Sequence, residues 1–214
     1  MIIAILGGTG KEGGGLAVRW ARDGHTILIG SRDGERARTR AAEMAQKASG
    51  TILGFTNLEA ARQGEVAVIT VPAAGHRALL EEVRPALQGK IVMDTVVPVD
   101  LKAAHPYVPP PEGSAAEEAQ AILGPAARVV AALHHIGAHE LSALDHAIEG
   151  DGLLCGDDAA AKAVVADLIK GMGVRPVDVG PLKHAPLIEG ITPLLISINK
   201  RYKVKASGVR ITGI

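Results

Sequence analysis

At 214 residues the chain is long enough for one substantial domain, or for one domain with a small second lobe sharing its core. With 47% hydrophobic residues and 23 basic against 23 acidic side chains, it reads as a well-buried globular protein with no overall pull toward nucleic acid or an acidic membrane. Aromatic residues are nearly absent (Trp20, Phe55, Tyr107, Tyr202), which leaves little for base stacking; the single cysteine, Cys155, excludes an intrachain disulfide and reads as a buried small hydrophobe in a reducing, cytoplasmic setting.

The first apolar run, Ile2 to Leu6, has no basic stretch before it and stops at Gly7, unlike a signal sequence. It predicts a strand. Behind it comes GGTGKEGGG, six glycines in nine residues, at the start of a helix. Gly8, Gly10 and Gly13 make G-x-G-x-x-G in the strand-to-helix context that holds a dinucleotide. The first permits the tight turn, the second lets backbone N–H groups approach a pyrophosphate, and the third lets the helix pack on the strand. Thr9, Lys11 and Glu12 share that loop and are taken as cofactor neighbours, Thr9 with its hydroxyl toward an additional phosphate. Gly14 and Gly15 fall outside the fingerprint and are read as close-packing positions.

Gly24 can end this helix in a left-handed cap before a second strand, Thr26 to Ile29. Where NAD sites usually place a carboxylate, the chain reads GSRDGER. Ser31, Arg32 and Arg36 offer a hydroxyl and two guanidinium groups, which suits a 2′-phosphate and favours NADP over NAD. Asp33 reads as part of the Asp-Gly turn and helix start, although a carboxylate there also tolerates an unphosphorylated ribose. Further strands are predicted at Thr51 to Phe55 and Val66 to Thr70, with Asn57 capping a short helix through Gln63. Thr70, Val71 and Pro72 leave the sheet where a cofactor's ribose and nicotinamide pass. His76, just beyond, is taken as a cofactor neighbour or as a cap of its own helix, HRALLEEVRPAL.

A fifth strand, Lys90 to Asp94, leads into a segment with five prolines between Pro98 and Pro111, a loop rather than a helix or an inner strand. Emerging beyond a strand's carboxyl end, it is placed at the border of the ligand crevice. A sixth strand, Arg128 to Leu133, delivers His134 and His135 to the same crevice. Six strands alternating with helices give an α/β fold: a Rossmann-type doubly wound parallel sheet. After Cys155 the pattern becomes a long helix, a short strand, a second long helix from about His184 and a basic tail. This is read as a small C-terminal α/β lobe, with residues 1–150 as the NADP-binding domain and 151–214 as the smaller one. The apolar stretch Ile191 to Ile198 is far short of the ~20 residues that span a bilayer, so no membrane role is expected. No nucleophile, acid–base pair or metal site is expected either; His135, His139 and Glu140 share spacing suited to a helix face but have no evident fourth ligand.

The segments LGGTGKEGGGLA, GSRD, VPVD, EGSAAEEAQAIL, VVAALHHIGA, LLCGDD and ITPLLISINKRYK…GVRITGI, in this order, resemble the NADPH-dependent reductases of the 8-hydroxy-5-deazaflavin coenzyme F420 nearly end to end. The resemblance implies a Rossmann domain with a small C-terminal domain completing the deazaflavin site, usually assembled as a homo-oligomer, here taken as a dimer. It implies reversible hydride transfer from nicotinamide C4 of NADPH to deazaflavin C5, with no catalytic residue required. By the same resemblance His134 lies near the deazaflavin ring and Thr192 near its side chain, with His135 beside them. The deazaflavin's tail is anionic, and the most basic segment, NKRYKVKASGVR, supplies Arg201 and Lys203 as candidate partners; a solvated C-terminal run is the plainer reading of the same residues. Pro186 and Gly190 stand where the family's archaeal branch often has arginine and serine. Two alternatives stay open: an NADP-dependent reductase of an imine or small carbonyl, and a non-enzymatic NADP(H) sensor.

Overall fold

The computed structural model describes residues 1–214. Its strands are β1 (Ile2–Leu6), β2 (Thr26–Ser31), β3 (Ile52–Thr56), β4 (Val66–Ile69), β5 (Ile91–Asp94), β6 (Arg128–Ala132), β7 (Asp151–Gly156) and β8 (Arg175–Asp178). The helices are α1 (Lys11–Arg22), α2 (Gly34–Ala45), α3 (Asn57–Gln63), α4 (His76–Val83), α5 (Ala115–Leu123), α6 (Ala138–Ser142), α7 (Ala159–Gly171), α8 (Ala185–Glu189) and α9 (Ile191–Tyr202). All eight strands form one sheet in the order β3-β2-β1-β4-β5-β6-β7-β8. β1 to β6 run parallel, so the chain reverses its direction of winding between β1 and β4, where an open sheet forms its ligand crevice. No helix is long and apolar enough to cross a membrane.

The period-two alternation of β1 explains the layering. Ile3 and Ile5 enter a core cluster with α1, α2 and α7, while Ala4 and Leu6 enter a second cluster on the other face with α3, α4, α5 and α8. Both faces of the sheet are therefore covered, as a parallel sheet requires. Trp20 of α1 is fully buried and donates its indole N–H to the Leu168 carbonyl of α7 at 2.9 Å. Cys155 is buried in the second cluster, and burial pushes its thiol up to about 12.

The six predicted strands are present within a residue or two of their expected ends. The seventh was not foreseen: DGLLCG forms β7, antiparallel to β6, with β8 parallel to it. Residues 151–214 thus extend the same sheet, and their apolar side chains enter both core clusters. The helix expected from His184 is divided into α8 and α9 at Gly190, and the one beginning at His76 ends at Val83 in a short 3-10 turn. The cap of α3 is Thr56, not Asn57: its hydroxyl accepts from Glu59 N–H while the Glu59 carboxylate accepts from Thr56 N–H. The Asn57 side chain instead accepts the Gly7 N–H at 3.0 Å, steadying the fingerprint turn.

Candidate functional site

The fingerprint begins at Gly7, whose φ of +74° is the left-handed conformation that glycine adopts without strain. A Cβ on Gly13 would sit 2.6 Å from the Gly8 Cα, so the helix approaches the loop this closely only because residue 13 is glycine. A Cβ on Gly10 would meet nothing within 4 Å, so the space above the loop is open. Helices α2, α3, α5 and α7 are capped by Asp33, Thr56, Ser114 and Asp158. At α1 the N-cap is Gly10 and no side chain caps it. Its first-turn N–H groups and the positive end of its dipole are left for an anion, and the residues present fit a pyrophosphate.

At the end of β2, Ser31 is nearly buried and its oxygen accepts the Asp33 N–H at 3.2 Å. Asp33 caps α2, accepting from the Glu35 and Arg36 N–H groups, so it serves the helix start. Arg38 and Arg40 are held by Glu35 and Glu43. Arg32 and Arg36 are exposed and in no ion pair, which leaves both guanidinium groups available beside Ser31. Thr70 donates to the Leu6 carbonyl at 3.1 Å and packs against Gly13, Val71 covers Gly7, and Pro72 is exposed as the chain leaves β4. Lys11 is exposed, whereas Glu12 is half-buried and its carboxyl is raised to about 7 by burial, with the Asp94 charge adding to the effect.

The His76 side chain turns into the interior, where protein carboxylates take both ring nitrogens, and it does not cap its helix. It is buried, with Nε2 2.7 Å from Asp94 Oδ2 and Nδ1 2.7 Å from Glu118 Oε2. Burial opposes its charge, but the two carboxylates outweigh this and raise the imidazole to about 9. Asp94 and Glu118 were not anticipated. The only local signal was a carboxylate closing a buried strand, in IVMD.

At the same carboxyl edge of the sheet, β6 is followed by Leu133, whose φ of +64° is strained for a non-glycine residue. That turn buries both His134 and His135. Neither ring nitrogen of His134 has a partner, and burial holds the imidazole down at about 4. Thr192 of α9 donates to the His134 carbonyl at 2.8 Å, joining two residues expected on the deazaflavin side although they lie 58 positions apart. His135 donates Nε2–H to the Asp151 carbonyl at 2.7 Å, and it lines a cavity of about 490 Å³ with Ile136, His146, Glu149 and Ser207. His139 is exposed, and no group of three His, Cys, Asp or Glu side chains is arranged to hold a metal.

Arg201 and Lys203 stand exposed at the end of α9, where Lys203 forms a left-handed cap. The proline-rich loop is tied down by a residue that sequence reasoning missed. Glu189 is fully buried and accepts from Tyr107 Oη at 2.8 Å and from the Ala115 and Ala116 N–H groups that open α5. Burial raises its carboxyl to about 7. Glu189 thus ties the loop and the start of α5 to the α8–α9 corner.

The family described as "NADP oxidoreductase coenzyme F420-dependent" matches residues 2–98. The F420-dependent NADP reductase of Methanothermobacter marburgensis is 40% identical over 222 residues, covering 100% of this chain and 99% of that protein. Its counterpart in Methanocaldococcus jannaschii is 39% identical over 223 residues, covering 100% and 99%. Among solved structures, a candidate F420-dependent NADP reductase from Arthrobacter sp. FB24 superposes with a TM-score of 0.84 at 28% identity, covering 99% of each chain.

Proposed function

Because the chain belongs to the F420-dependent NADP reductase family, we propose that it transfers a hydride reversibly between C4 of NADPH and C5 of the deazaflavin coenzyme F420. The two bound cofactors supply the reacting carbon atoms, NADPH becomes NADP⁺, and a proton from solvent completes the reduced deazaflavin. The polypeptide contributes proximity, orientation and electrostatics.

Residues 1–150 are assigned to the nucleotide and residues 151–214 to completing the deazaflavin side. In this reading Gly8, Thr9, Gly10, Lys11, Glu12 and Gly13 hold the pyrophosphate loop, and Ser31, Arg32 and Arg36 take the 2′-phosphate. Thr70, Val71 and Pro72 flank the nicotinamide ribose. His134, neutral and unpaired, gains polar partners when a ligand fills the crevice, and Thr192 fixes the backbone that carries it. His135 supports that wall, and Arg201 and Lys203 meet the anionic tail. A homodimer in the cytoplasm is part of the proposal. The dimer is supported by the apolar surface of α8 and α9, where Leu187 and Tyr202 are 69% and 68% exposed.

The observation that carries the reading is the uncapped, glycine-lined start of α1 between β1 and β4, with the unpartnered, buried His134 following parallel strand β6 at the same carboxyl edge of the sheet. The test is spectroscopic. Protein mixed with NADPH and oxidised coenzyme F420 is expected to bleach the deazaflavin's visible absorbance at a rate proportional to enzyme. Intact NADPH binding with no bleaching would transfer the assignment to another acceptor.

A further inference from the structure

The interior holds one polar cluster that the reading above leaves without a role. Asp94 ends β5, His76 opens α4 and Glu118 lies in α5, so three elements meet through two 2.7 Å contacts. Asp94 is fully buried; its Oδ1 also accepts the Val96 N–H at 2.9 Å, which fixes the carboxylate at the carboxyl end of the sheet. Glu118 shares its charge with Arg77, which pairs in turn with Glu112 nearer the surface. The charges thus run inward as Glu112, Arg77, Glu118, His76 and Asp94.

Asp94 is the end of this line that bears on the crevice. It pairs in register with Ile69, the last residue of β4, so it stands beside the point where Thr70, Val71 and Pro72 leave the sheet, whereas Glu118 lies on the far side of His76. A carboxylate withdrawn from water needs partners to be tolerated, and apolar residues in place of the whole cluster would often serve the fold equally well. The reaction offers it a use: nicotinamide is neutral in NADPH and cationic in NADP⁺.

We propose that Asp94, held in place by His76, makes the crevice floor charge-selective: it favours the oxidised, cationic nicotinamide over the reduced, neutral one, and so makes bound NADPH a stronger hydride donor. The inference rests on the nucleotide reading given above. His76 is a positioning residue that supplies the counter-charge, and Glu118 anchors it from the far side. A unit charge acting across about 10 Å at an effective dielectric near 20 is worth roughly a tenfold ratio or more.

The experiment measures Kd for NADPH and for NADP⁺ at pH 8, by nucleotide fluorescence and calorimetry, in wild type and in folded Asp94→Asn, His76→Gln and Glu118→Gln proteins. Asp94→Asn is expected to raise the ratio Kd(NADP⁺)/Kd(NADPH) about tenfold. His76→Gln is expected to lower it, because the carboxylate then loses its cationic partner. Glu118→Gln should change it less than about threefold, since the Asp94–His76 pair stays intact. A purely structural role would move both constants together, and that result, or a ratio shifting the same way in Asp94→Asn and His76→Gln, overturns the inference. Should Asp94→Asn not fold, an unchanged or raised ratio in His76→Gln is sufficient to reject it. If the wild type binds neither nucleotide, the nucleotide reading fails instead.

Discussion

The arginines before and within α2 divide by their partners. Arg38 and Arg40 are neutralised by Glu35 and Glu43, while Arg32 and Arg36 remain free next to a nearly buried Ser31. Charge-assisted hydrogen bonds of this kind are worth about 1.5–3 kcal/mol each. The double substitution Ser31→Asp, Arg32→Ala is therefore expected to reduce the NADPH-over-NADH preference in kcat/KM by roughly 100-fold. Retained selectivity would mean that the 2′-phosphate is held elsewhere. These residues are legible in the sequence because their grouping is local, from the last residue of a strand to the first turn of the next helix. His76 is not. Its partners lie 18 and 42 positions away, and only the folded sheet brings them to it.

At the scale of the element, α1 has two kinds of glycine. Gly10 faces open space, whereas a Cβ on Gly15 would fall 2.6 Å from the Leu141 Cβ and 2.8 Å from its carbonyl carbon. The helix α6 that carries Leu141 is held there by Arg19, which donates to the Glu140, Leu141 and Ala143 carbonyls at 2.9 Å. Gly10→Ala is expected to leave the unfolding midpoint nearly unchanged while weakening NADPH binding. Gly15→Ala should instead cost about 1–3 kcal/mol of stability through overpacking. Thermal unfolding with and without NADPH separates the two, and a stability loss at Gly10 of the same size as at Gly15 would contradict the division. The sequence showed six strands because each is a β-branched or aliphatic run between turn signals. It hid β7 because DGLLCG has two glycines, and because its pairing with β6 is settled by burial rather than by local preference.

Over the whole molecule, the buried charges set a pH dependence whose sign can be worked out. The His76 imidazole is raised from 6.5 to about 9 on folding. Its stabilisation is fully present below about pH 6.5 and is lost as pH rises through about 9. Denaturant unfolding at pH 7 and pH 10 is expected to show a larger loss of stability in wild type than in His76→Gln; equal losses would remove His76 from the account. The division of the chain at residue 150 has a limit of its own in the contact between Trp20 and Leu168, 148 positions apart. The helix bearing the fingerprint cannot complete its packing until about four-fifths of the chain has been made, because its acceptor is Leu168. Contacts of such high sequence separation slow folding. A nascent or truncated chain ending near residue 150 leaves Trp20 without its α7 partner, and so carries an unfinished patch of core at α1.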